Sequence, residues 1–141
     1  MTEPTRGATP EDWFQFDFVL GLGGNLLPCV QADAQPTPGS SVKAFGKVPS
    51  MYNAQGQAFG LKGWQTRPIM SAEIQQWAAD RRLNLCVRLG SVSGVHALDI
   101  DVEDRAKAEE IVHAIEAVTG PLPKRWRENS GKCLLLFKLE E

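Results

Sequence analysis

The sequence has 141 residues, of which 43% are hydrophobic and 23% charged, and its formal net charge is −2 at pH 7. These totals are typical of one soluble globular domain and exclude a basic field over the whole chain that would attract nucleic acid. No apolar run approaches the roughly 20 residues that cross a bilayer, and the start MTEPTRGATPED is too polar for a signal peptide. We therefore expect no membrane partner and a cytoplasmic location.

The first elements read as a helix and a strand. Thr9, Pro10, Glu11 and Asp12 form a typical helix start, with a cap, a proline and acids in the first turn. The aromatic run that follows is expected to belong to this helix and to pack into the core: Trp13, Phe14, Phe16 and Phe18. GLGG ends the helix, and NLLPCV is predicted to be a strand.

Residues 31–63 are rich in Pro and Gly and predict a long loop-rich segment. A loop of this length is either mobile or a functional surface, and Lys43, Lys47 and Lys62 lie within it.

Ser71 is predicted to cap a second helix, on which four residues share one face: Ile74, Trp77, Ala78 and Arg81. The segments LNLCVRLG and VHALDIDV, joined by VSG, predict a hairpin of two adjacent strands.

A third helix is predicted over Glu103–Thr119, ended by Gly120 and Pro121. Its expected apolar stripe is Ala108, Ile111, Val112, Ile115 and Val118. KCLLLFKL is apolar on both faces and predicts a central final strand. The order of elements favours one α/β or α+β domain over residues 1–141, with helices on a mostly antiparallel sheet.

Two carboxylates in VHALDIDV are the first candidate site. Alternation along a strand puts Asp99 and Asp101 on one face, about 6.5–7 Å apart at Cα, and His96, Leu98, Ile100 and Val102 on the other, expected to be the core side. Neighbouring ionised carboxylates repel each other, and a divalent cation such as Mg²⁺ or Mn²⁺ removes the conflict. Alternatively, Asp101 caps the following helix and Asp99 pairs with an arginine.

A basic stretch before the last strand is the second candidate. It is not a P-loop, because Trp126 stands where that motif needs glycine and Cys133 follows Lys132. It nevertheless offers donors that could cradle phosphates: Arg125, Arg127, the Ser130 hydroxyl, the Gly131 N–H and Lys132. The alternative is a solvated hairpin turn. A metal-binding acid pair and a phosphate-binding turn are together the two halves of nucleotidyl-transfer chemistry.

Three cysteines, Cys29, Cys86 and Cys133, lie in apolar runs without a CxxC pair. They are expected to be small buried hydrophobes rather than a zinc or disulfide framework.

In their order and spacing these segments resemble the bifunctional DNA primase/polymerase N-terminal domains of the archaeo-eukaryotic primase superfamily, of phage and mobile-element type. The similarity runs from NLLPCV through GKVPSMYN, GLKGWQT, EIQQWA and VRLGSVSGVHALDIDV to RENSGKCLLLFKL. It implies a small α/β module beside an RRM-like sheet that carries the active site.

The resemblance also implies roles for single residues. Asp99 and Asp101 match the first motif and become catalytic metal ligands for Mg²⁺ or Mn²⁺. NSGKCLLLF matches the second, so Arg127, Ser130, Gly131 and Lys132 become nucleotide-binding, although Lys132 stands where many members have histidine. Lys47 and Arg125 are the nucleic-acid-binding candidates.

The implied partners are nucleoside triphosphates, template DNA and a helicase domain or another replication protein, inside a bacterial cell. The family's third carboxylate lies after the second motif, and Glu140 and Glu141 are not assigned to it, so a fragment or a natural short form is expected. Two alternatives stay open: a non-catalytic primase-derived module that binds nucleic acid or a replication partner, and a metal-dependent phosphohydrolase.

Overall fold

The computed structural model describes residues 7–139. The chain divides between Arg88 and Leu89 into two compact units. The prediction of one domain over residues 1–141 stays a prediction. Helices and small antiparallel sheets alternate along the chain, which confirms the mixed α and β class. No helix within the described part is long and apolar enough to cross a bilayer.

The first unit opens with α1 (Pro10–Phe14), which continues as a π-helical turn over Gln15–Val19. The predicted cap is correct, because the Thr9 hydroxyl accepts the Asp12 N–H at 3.1 Å. The prediction that the whole aromatic run enters the core is wrong. Trp13 is buried and packs on Trp77, whereas Phe14 and Phe18, four residues apart on one helical face, stack on each other at the surface.

Two short sheets complete the first unit with one further helix. A 3₁₀ turn, Gly23–Asn25, leads into β1 (Leu26–Cys29), which pairs with β4 (Asn84–Val87). Within the loop-rich segment 31–63, β2 (Ser50–Tyr52) and β3 (Ala58–Gly60) form a hairpin. The helix α2 (Ser71–Ala79) buries Ile74 and Trp77 as predicted. Met70, not Ser71, is its N-cap, and the Met70 N–H donates to Glu73 Oε1 at 3.2 Å.

A buried arginine holds the start of β1 and the end of β4 together. Arg88 is only 5% exposed. Its guanidinium donates to the carbonyls of Gly24, Trp64 and Arg67 at 2.7–2.9 Å and to Asn25 Oδ1 at 3.2 Å. Each acceptor is neutral, so Arg88 stabilises this region by donating several hydrogen bonds to loop carbonyls that would otherwise lack donors.

The second unit is a three-stranded antiparallel sheet with one helix. β5 (Val95–Ile100) and β6 (Lys124–Trp126) flank the central β7 (Cys133–Lys138), and α3 (Arg105–Thr119) lies between β5 and β6 in sequence. The central place of β7 confirms the prediction from its two apolar faces. Ile100, Cys133 and Leu135 form a core with Ala108 and Val112 of α3.

Two predictions about this region are wrong. The predicted hairpin of LNLCVRLG and VHALDIDV is limited to one isolated bridge between Gly90 and Val95, because β4 pairs with β1 and β5 pairs with β7. The stripe on α3 is narrower than predicted, because Ile111 is 40% and Val118 88% exposed. A sheet of three short strands covers only the part of the helix that contains Ala108, Val112 and Ile115.

Candidate nucleotide site

The register of the sheet brings the predicted site residues of the second unit onto one face. Asp99 pairs with Leu134, which pairs with Arg125, so these three side chains form a row across the sheet. Directly paired residues share a face, and the strand spacing places Asp99 and Arg125 about 10 Å apart. The next row, Ile100, Cys133 and Trp126, faces α3. The acid row therefore lies on the face opposite the helix.

A second row continues this pattern beyond the ends of the strands. The Arg127 N–H donates to the Lys132 carbonyl at 3.0 Å, which extends the β6–β7 ladder by one pair. Lys132 Nζ lies 3.1 Å from Asp101 Oδ1. Asp101, Lys132 and Arg127 thus lie beside Asp99, Leu134 and Arg125 on the same face. On this face the two acids therefore lie at the β5 edge of the sheet, and the three cations lie on the central strand and at the β6 edge.

The acid end of β5 is open to solvent. Asp99 is exposed, and the Asp101 side chain is 73% exposed. The expected core side is only half correct, since Ile100 and Val102 pack against the α3 cluster while Leu98 is 43% exposed. Conversely, Val95 on the acid face is 1% exposed. Both carboxylates are therefore open to solvent, and a cation would act on their mutual repulsion.

The turn 127–132 is fixed to the chain segment that follows Asp101. The Gly131 N–H donates to the Glu103 carbonyl at 3.0 Å. A β-carbon on Gly131 would overlap the Val102 carbonyl oxygen and lie 2.8 Å from that of Asp104. Glycine is needed here for this close approach of two backbones. The Gly131 N–H, which the sequence predicts to be a phosphate donor, is consequently engaged within the protein.

The other donors of the turn differ in availability. Ser130 Oγ accepts the Lys132 N–H at 3.1 Å, which leaves its hydroxyl hydrogen for a ligand. Asn129 has a φ of 56°, a left-handed conformation that asparagine tolerates at a turn tip. Arg125 and Arg127 are exposed and form no ion pair with another described residue. Lys47 belongs to the first unit, and its predicted role stays a prediction.

Sequence reasoning missed Arg105 and Trp126 as a pair. The Arg105 guanidinium carbon lies 3.8 Å from the centre of the Trp126 ring, and its Nη1 lies 3.5 Å from the Ser130 carbonyl oxygen. Arg105 Nε also donates to Glu109 Oε1 at 2.8 Å. A basic residue just after a helix cap was the only local signal, and such residues are common on solvated helix faces.

No cluster of three or more His, Cys, Asp or Glu side chains within residues 7–139 is arranged to hold a metal ion. Glu140 and Glu141, which the resemblance leaves without a role, lie outside the described residues. A cation at Asp99 and Asp101 would take its other ligands from water and substrate, a common arrangement for Mg²⁺ at phosphate-handling sites.

Comparison with known proteins identifies the family. The family model for the bifunctional DNA primase/polymerase N-terminal domain matches residues 18–140. The chain belongs to this family. Primase/polymerase membership confirms the resemblance drawn from the motifs and associates the chain with DNA replication. It also implies interaction with nucleotides and DNA. No curated protein and no solved structure matches the chain.

Proposed function

We propose that Asp99 and Asp101 hold Mg²⁺ or Mn²⁺ and that the turn 127–132 receives the phosphates of a nucleoside triphosphate, for transfer of a nucleotide to a 3′-hydroxyl. The 3.1 Å contact between Lys132 Nζ and Asp101 Oδ1 carries this proposal. It joins one residue from each of the two segments that resemble the family's motifs, which supports a shared site.

The donor set fits a hard divalent cation. Both acids are exposed and share a face. Among the described residues, the only ion pair that either acid forms is the one from Asp101 to Lys132. The ammonium lies where a cation would balance Asp101. A bound Mg²⁺ or Mn²⁺ would supply charge neutralisation on the phosphates and activation of an attacking hydroxyl.

The residues of the chain would divide the remaining work. Lys132 and Arg127 lie next to the acids in the second row and would bind phosphate oxygens. Lys132 would do so through its single ammonium group, and Arg127 through two parallel N–H groups of its guanidinium. The Ser130 hydroxyl would add a neutral donor. Arg125, one row further along the same face, would contact the backbone of a nucleic acid.

Nucleotide binding with and without Mn²⁺ tests the metal assignment. Asp99→Asn removes one carboxylate charge with little change in size, and we expect the metal-dependent part of triphosphate affinity to fall by about tenfold or more. Glu110→Gln, an exposed acid on α3, is the matched control and should bind as the unchanged protein. Unchanged metal-dependent affinity in Asp99→Asn would remove the site assignment.

The absence of a third acid beside the pair among the described residues favours one alternative, a non-catalytic module that binds nucleic acid or a replication partner without extending a primer. Template-dependent primer extension separates the two functions. Extension lost in Asp101→Asn supports transfer. DNA binding without product supports the module, and phosphate release that ignores template supports the phosphohydrolase.

A further inference from the structure

We infer that Arg105 is a positioning residue that holds the turn 127–132 in the geometry required for phosphate binding, an inference that rests on the proposed function. Its guanidinium contacts both arms of the turn. Trp126, under the guanidinium at 3.8 Å, immediately precedes Arg127, and the Ser130 carbonyl at 3.5 Å lies two residues before Lys132.

Arg105 acts from the opposite side of the sheet to the acids. Trp126 shares its row with Cys133 and Ile100 on the face covered by α3, whereas Arg127 and Lys132 lie in a row with Asp101. Arg105 would therefore not touch the phosphates. Its effect on them would be transmitted through the turn that it holds.

The contacts of Arg105 fix its orientation. Its Nε donates to Glu109 Oε1 at 2.8 Å, one helical turn further along α3. The planar guanidinium can stack on an indole and donate in its own plane at the same time, and a lysine ammonium cannot do both. A plain surface pair between Arg105 and Glu109, 47% and 57% exposed, would have no influence on a ligand at the turn.

The test compares triphosphate and monophosphate binding in the presence of Mn²⁺, because a turn that holds the outer phosphates affects only the triphosphate. We expect Arg105→Ala to weaken triphosphate binding about five- to tenfold and monophosphate binding less than about twofold. Arg105→Lys should recover part of the loss. Lys107→Ala, which removes a neighbouring cation from the same helix turn, should change neither.

The double variant Arg105→Ala/Lys132→Ala decides whether Arg105 acts through the turn. Coupled residues give non-additive effects, so the double variant should bind triphosphate no more weakly than Lys132→Ala alone. Trp126→Phe, which keeps a ring, should retain affinity, and Trp126→Leu should lose it. Thermal unfolding of each variant verifies that the fold persists.

The outcomes separate the two proposals. Triphosphate affinity retained in folded Arg105→Ala but lost in Lys132→Ala would overturn the positioning role and leave the site intact. Additive losses in the double variant would also overturn it. If neither Asp99→Asn nor Lys132→Ala affects triphosphate binding, the proposed function fails and the role of Arg105 fails with it.

Discussion

Lys132 Nζ lies 3.1 Å from Asp101 Oδ1, although a helix, a strand and a turn separate the two residues in the sequence. The antiparallel pairing of β5 with β7 creates this contact, because Ile100 faces Cys133 and the next position outward on each strand is Asp101 and Lys132. The ammonium therefore occupies the surroundings of the carboxylate that the proposed metal would use.

Lys132→Met should strengthen metal binding and weaken nucleotide binding. Removing a competing cation from an exposed pair is expected to tighten Mn²⁺ binding by about two- to fivefold. The same change removes a proposed phosphate ligand, so triphosphate affinity should fall. Calorimetric titration with Mn²⁺ alone, then with triphosphate, measures both effects.

Lys124→Met is the control for this pair. Lys124 has the same charge on the helix-facing side of the sheet and binds Glu116 Oε2 at 3.0 Å. Neither affinity should change in this variant. If both affinities move in the same direction in Lys132→Met, competition between the ammonium and the metal is not the explanation.

Gly131→Ala should disrupt the site through the backbone. The added carbon would overlap the Val102 carbonyl oxygen, so the turn must move and the bond from the Gly131 N–H to the Glu103 carbonyl must lengthen. We expect a loss of about 1–3 kcal/mol in the free energy of unfolding, together with weaker triphosphate binding. Urea denaturation and calorimetry measure the two effects. Gly24→Ala, with open space around the new carbon and an ordinary φ, is the control.

The sequence predicted those parts of the fold that depend on local pattern. The two apolar faces of CLLLFK require cover on both sides, and β7 is central as expected. The alternating pattern of β5 and the glycine that ends α3 are also local features, and the strand and the end of the helix were predicted from them. For the same reason Asp99 and Asp101 could be placed on one face from their spacing alone.

The pairing of distant strands could not be predicted in this way. A turn between residues 90 and 94 indicates a hairpin, yet β4 pairs with β1, almost sixty positions earlier. Pairing depends on which apolar surfaces meet in three dimensions, and local turn signals do not contain that information. The engagement of the Gly131 N–H and the stacking of Arg105 on Trp126 were missed because they too join distant segments.

Arg88→Met should be among the most destabilising single substitutions in the first unit. Arg88 is 5% exposed and donates to three backbone carbonyls and Asn25, and methionine would leave these acceptors without donors in a dry environment. We expect a loss of about 3 kcal/mol in the free energy of unfolding, measured by urea denaturation.

Arg82→Met provides the comparison for Arg88. Arg82 binds Asp80 Oδ2 at 2.8 Å and stacks on Tyr52, but its side chain is 58% exposed. Its replacement should cost less than about 1 kcal/mol. Equal losses in the free energy of unfolding for the two arginine variants would contradict the role of Arg88 as a buried hydrogen-bond donor.

Cys29 should ionise at a lower pH than an ordinary cysteine. The pKa of Cys29 is lowered from its ordinary value near 9.0 to about 7, mainly because the Cys86 side chain, on the same face of the β1–β4 ladder, donates to it. Burial opposes this shift, and hydrogen bonds from Ser50 and from the backbone of Val48 and Gly46 add to it. Burial raises the pKa of Cys133. Thiolate absorbance followed against pH should show a first step near pH 7 that disappears in Cys29→Ser and moves upward in Cys86→Ala.

Because the folded pKa of Cys29 is below the unfolded one, ionised Cys29 stabilises the fold fully above about pH 9, and this contribution is lost as pH falls toward 7. Stability of the unchanged protein relative to Cys29→Ser should therefore increase between these values, and a difference independent of pH would contradict the assignment.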